Sequence, residues 1–169
     1  MKRTALYFVI LLVAALLPVH RTDVGKLRPV EVVSIYKEED LLIIKTDTGD
    51  SGIGKTAADA YRNLEKPTAG VIFLDTANYL LVDDTAKNEI VPMSQWLKPN
   101  IRICFAARGI DLSAAARYLT EHQPKVKLKE YGSGAVVETL IVINGRMDLK
   151  KLEKMKKVLD KERNICYYT

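Results

Sequence analysis

Residues 49–56 read GDSGIGKT, a glycine, four variable residues and then Gly-Lys-Thr. That spacing fits a phosphate-binding loop, in which backbone N–H groups and a lysine cradle phosphates and a Ser/Thr hydroxyl meets magnesium. The candidate nucleotide-binding residues are Gly49, Gly54, Lys55 and Thr56. The segment VIFLD, Val71 to Asp75, adds an apolar run ending in a carboxylate, so Asp75 is the candidate magnesium partner.

Four features of the chain oppose that chemistry. Thr56 followed by Asp59 forms a capping-box variant, and a Thr56 cap leaves Lys55 outside the helix. Asp47 and Asp50 flank the segment and repel a triphosphate. Few residues separate Lys55 from Asp75, enough for one helix and one return strand. An apolar leader would carry the domain to a compartment poor in nucleotides. The simpler reading is a turn whose glycines permit positive φ.

Other constellations are thinner. Ser51 and Ser113 have no histidine at a suggestive spacing, and Asp83-Asp84 reads as a solvated turn. His20 and His122 are the only histidines, so zinc-ligand spacing is absent. Cys104 and Cys166 lie in strand-like stretches. An oxidising space would let them pair, but they read better as buried apolar thiols. No catalytic residue, metal or cofactor is expected.

These residues need a scaffold, and the composition supplies one. The chain has 169 residues, 48% of them hydrophobic, consistent with a single domain and a core. A formal charge of +5 and 7% aromatic content do not suggest a nucleic-acid surface. Lys2 and Arg3 precede fifteen uncharged residues, Ala5 to Val19. Residues 1–20 therefore read as a signal peptide or signal anchor. Bulky Leu16, Leu17 and Pro18 follow the small residues, which favours an uncleaved membrane anchor through residues 5–19. Residues 21–28 read as a linker.

Residues 29–169 are expected to form one mixed α/β domain, a central mixed sheet flanked by helices and preceded by the hydrophobic N-terminal helix. Pro29 to Tyr36 and Leu41 to Thr46 form a hairpin, and residues 47–54 are loop. Ala57, Ala60, Tyr61 and Leu64 mark one helical face, which Pro67 ends. Val71 to Leu74 is a buried strand. Residues 79–98 hold two short helices, with Trp96 and Leu97 inward. Ile101 to Ala107 is a strand. Asp111 or Ser113 caps a helix carrying Leu112, Ala115, Ala116 and Leu119. A β-α-β unit closes the chain over 136–168. It runs from a strand at Val136 to Ile143 through the turn Asn144-Gly145 and a helix capped by Asp148 to a strand at Ile165 to Tyr168. That helix turns Leu149, Leu152, Val158 and Leu159 inward and a basic face outward.

The ordered segments RTDVGKLRPVEVVSIYKEEDLLIIKT, GKTAADAYRNLEK, GVIFLDTANYLLVDDTAKNEIVP and IRICFAARGIDLSAAARYLTEHQP follow the apolar leader. Over residues 21–124 this order is similar to the N-terminal domain of the Ger(x)C family, the C subunits of spore germinant receptors. In that pattern Thr56 to Ala60 opens a helix, and Tyr79-Leu80-Leu81-Val82 stands within the segment after the apolar strand. The domain core is then 29–124. Family members are usually longer lipoproteins with a cysteine ending the leader, where this chain has Val19-His20.

The resemblance implies a non-enzymatic binding or assembly module, membrane-tethered on the outer face of a cell or spore membrane of a spore-forming bacterium. Its partners would be integral membrane subunits of a receptor or transporter-like complex, with no nucleic acid. It supplies no catalytic residues. The alternative is a small phosphate-loop nucleotide-binding protein using residues 49–56.

Overall fold

The β-branched run Val32, Val33 and Ile35 starts the scaffold. Strand β2 (Val32–Glu38) pairs antiparallel with β3 (Leu41–Thr46) across Glu39-Asp40, where Glu39 adopts φ 54°. The computed structural model describes residues 27–65 and 71–151. The leader, Pro67, Cys166 and residues 152–168 of the expected β-α-β unit lie outside the described residues.

Before the hairpin comes β1 (Leu27–Pro29). After it follow β4 (Ser51–Gly54), helix α1 (Ala57–Glu65), β5 (Val71–Phe73) and β6 (Tyr79–Val82). A 3-10 turn (Asp84–Glu89), the short helix α2 (Ile90–Met93) and β7 (Arg102–Ala106) come next. Helix α3 (Leu112–Glu121), β8 (Glu138–Ile143) and β9 (Arg146–Lys151) complete the described chain.

Among the described residues, seven strands form one mixed sheet in the order β4-β3-β2-β6-β7-β8-β9. Strands β2, β6, β7 and β8 run parallel, and antiparallel pairs close both ends. The fold is therefore mixed α/β. One face packs Val33, Ile35, Leu42, Ile44, Leu80 and Ile103 under α1, α2 and Leu97. The other packs Val32, Tyr79, Leu81 and Cys104 under Ala115, Ala116 and Leu119 of α3. Trp96 is half-buried and stacks on Tyr61, ring centroids 4.8 Å apart. The Asp111 carboxylate caps α3 by accepting from Ser113 N at 2.9 Å and Ala114 N at 3.1 Å.

Four local expectations change. Residues 79–82 form the central strand β6, not helix, and all four are buried. Between two parallel neighbours both faces of a strand are covered, so an apolar run there shows no alternation. Residues 51–54 form a strand, not a loop. The strand at 71–73 stays outside the main sheet and pairs parallel with β1, which begins inside the expected linker. The helix expected from Asp148 is absent over 148–151, where β9 continues. Asn144 (φ 51°) and Gly145 (φ 74°) make a two-residue turn that locks the β8–β9 register. Met147 and Leu149 then point inward at period two.

Candidate functional site

GDSGIGKT does not open into a phosphate cradle. Gly49 takes φ +86° in the turn after β3, where Asp47 turns back to bind the backbone N–H of Glu31 (3.1 Å) and Val32 (3.2 Å). Residues 51–54 run antiparallel to β3, with Gly52 and Gly54 buried beneath α1. A Cβ at Gly52 would lie 2.6 Å from Leu64 Cβ, and one at Gly54 2.7 Å from Asp59 Cβ. These two glycines let a helix approach a strand, and their N–H groups are not presented to a ligand.

The Thr56 hydroxyl accepts from Asp59 N at 3.1 Å and donates to the Asp59 carboxylate at 2.8 Å. Lys55 is exposed and lies before the first helical residue, Ala57. Asp75 is exposed in a 3-10 turn after β5. Strand β3, which precedes the segment, neighbours β2 and β4 rather than β5. The candidate nucleotide residues are thus dispersed along an edge strand, a helix cap and a separate ribbon.

A large concavity among the described residues lies elsewhere. The last residue pair joining β7 to β8 is Ala106–Leu140, yet β8 runs on through Ile143. The β8–β9 hairpin therefore overhangs the carboxyl end of β7. The space beneath is walled by the 107–111 loop, Ala114 of α3, Leu140, Val142 and Met147, and measures about 760 Å³. Ligands of open α/β sheets commonly sit outside the carboxyl ends of strands.

No protein-family model, curated protein or solved structure matches this chain.

The groove is apolar where it is open. Val142, in its wall, is 51% exposed. Thr139 Oγ1, in the same wall, is buried with no hydrogen-bond partner among the described residues. Arg108 stands at the rim, 4.0 Å from Glu38. Sequence reading placed β8 and its turn but not the groove. Its one available signal was the run of apolar residues to the very edge of the Asn144-Gly145 turn.

The remaining reactive groups serve structure. Burial, and then the Glu138 carboxylate, push the Cys104 thiol far above its usual range, so it stays protonated and unreactive. Glu138 itself accepts from Lys125 N at 2.9 Å. Asp83 caps the 84–89 turn through Thr85 N at 3.0 Å, while Asp84 pairs with Lys87 at 3.0 Å. Ser51 and Ser113 are exposed. His122 stacks on Tyr118, ring centroids 4.4 Å apart. Among the described residues no group of three or more His, Cys, Asp or Glu is placed to hold a metal. No helix among them is long and apolar enough to cross a membrane.

Proposed function

We propose that residues 27–151 are the folded part of a non-enzymatic assembly module, tethered by residues 5–19 to the outer face of a cell or spore membrane. This reading joins the uncharged leader and the Ger(x)C-like segment order to one structural observation. That observation is the overhanging β8–β9 hairpin with its exposed apolar groove. The occupant is an apolar segment of an integral membrane subunit of a receptor or transporter-like complex. A tether brings such subunits within reach. Covering the exposed half of Val142 would contribute about 1 kcal/mol.

Site-specific photocrosslinking in intact membranes tests this. A crosslinker at Val142 should capture one integral membrane protein. A crosslinker at Ile53, an equally apolar side chain (48% exposed) on the opposite sheet edge, should not. Protease added outside the cell or spore should digest the domain. A protected domain facing the cytoplasm, or capture confined to soluble cytosolic proteins, would overturn the assignment.

A further inference from the structure

At the amino ends of β2, β6 and β7, the end of the sheet away from the groove, a second concavity of about 570 Å³ is lined largely by polar side chains. Lys98, Arg102 and Lys127 enter it, with the amide groups of Asn100 and Gln123. Among the described residues, Glu31 is its only carboxylate. The three cations outnumber that carboxylate, and among the described residues none of them is ion-paired with an acidic group.

The backbone forces two of these charges together. Arg102 and Lys127 are directly opposite in an antiparallel bridge, held by Ile103 N donating to Val126 O (2.9 Å) and Leu128 N to Ile101 O (2.8 Å). Opposed residues in such a bridge project to the same side, and like charges there destabilise. The guanidinium of Arg102 is also steered by donating to Pro124 O at 2.7 Å. Lys98 Nζ is fixed by Asn78 Oδ1 at 2.7 Å and Thr76 O at 3.3 Å. Glu31 is engaged by the Thr120 hydroxyl at 3.3 Å rather than by a cation. The arrangement is a pre-positioned set of donors whose mutual repulsion an anion would relieve.

We infer that this concavity is a binding site for a phosphate group, held by Arg102 and Lys127 with Lys98, Asn100 and Gln123 as further donors. The phosphate comes either from a free phosphate ester or from an anionic phospholipid headgroup. Three cations and several N–H donors suit an oxyanion with several acceptor oxygens. Glu31 opposes the ligand and limits its affinity. The site does not depend on the assembly reading. It lies at the other end of the sheet and would bind inorganic phosphate with or without a membrane partner.

The test uses the full chain in nonionic detergent, titrated with inorganic phosphate at constant ionic strength against chloride. Backbone amide shifts of Asn100, Arg102, Gln123 and Lys127 are followed by NMR. Saturable shifts confined to these residues are expected. Lys127→Gln should weaken binding, and Glu31→Gln should tighten it, each by about threefold. Opposite signs from two neutralising substitutions exclude a general loss of folding as the cause. The same titration in lipid nanodiscs separates the sources. Shifts lost in phosphatidylglycerol discs but kept in phosphatidylcholine discs assign the site to an anionic headgroup, and shifts kept in both assign it to a soluble phosphate. Non-saturable shifts in wild type, or the same direction of change in both variants, would overturn the site.

Discussion

Gly52 of β4 lies against Leu64 of α1, so close that an added methyl group would stand 2.6 Å from the Leu64 Cβ. Gly54 meets the same helix one turn earlier, at Asp59 and Ala60. Of the two glycines that make GDSGIGKT look like a phosphate loop, Gly54 is therefore consumed, together with Gly52, in packing a helix onto an edge strand, and Gly49 serves the turn before that strand. Asn63 adds a bond from the same helix, donating to Ile53 O at 2.7 Å, which covers one carbonyl of that edge.

Gly52→Ala should accordingly destabilise the domain by about 1–3 kcal/mol or more, since the opposing atoms are backbone and cannot yield cheaply. Gly49→Ala should cost only about 1 kcal/mol. Gly49 has open space around it and suffers from its φ of +86° alone. Thermal unfolding of the detergent-solubilised chain, followed by circular dichroism, ranks the two. A reversed order would contradict the close packing of α1 on β4.

Lys55→Ala addresses the same segment from the chemical side. The side chain is exposed and outside the helix, so stability should change by less than about 0.5 kcal/mol. Equilibrium dialysis should find no saturable ATP binding in either form. Saturable binding in wild type that vanishes in Lys55→Ala would restore the nucleotide reading.

Asp83 should make stability sensitive to acid. Burial alone would raise its carboxyl pKa, but hydrogen bonds from the Thr85 side chain and backbone, together with Arg108, outweigh burial and hold it below the usual value. A depressed folded pKa contributes stability that is present above the unfolded pKa of about 3.9 and is lost as pH falls through the lower folded value. Asp83→Asn should lower stability at neutral pH and flatten its fall below pH of about 4. Denaturant midpoints from neutral to acid pH measure both effects.

Tyr61 should act at the alkaline end. Burial, followed by its hydrogen bond to Glu65, raises its phenol from 10.0 to about 12. The unfolded chain then loses this proton first. The contribution is intact below pH of about 10 and disappears as pH rises through about 12. Tyr61→Phe should remove that slope while keeping the stack on Trp96. Phenolate absorbance identifies the late-titrating tyrosine, and its absence in Tyr61→Phe makes the assignment.

The local signals in the chain were informative wherever neighbouring residues decide the outcome. The β-branched stretch Pro29 to Tyr36, followed by the run Leu41 to Thr46, marked the hairpin. The spacing of Ala57, Ala60 and Leu64 marked α1, Asp111 or Ser113 marked the start of α3, and Asn144-Gly145 marked a turn. Each depends on contacts within a few residues, so the chain itself carries them. Tyr79-Leu80-Leu81-Val82 was ambiguous because a strand buried on both faces reads like a buried stretch of helix. Residues 148–151 were misread because Leu149 and Leu152 also fit a helical stripe.

What remained hidden was every feature made by chain segments far apart. The sequence alone determined the uncharged leader, the alternation of strands and helices and the caps that punctuate them. Only the tertiary structure decided that β2 lies beside β6, that Gly52 and Gly54 serve α1, and that β8 outruns β7 to leave an apolar groove. It alone set Arg102 opposite Lys127. Strand neighbours and registers are chosen by burial summed over the whole sheet, and no local pattern encodes that sum.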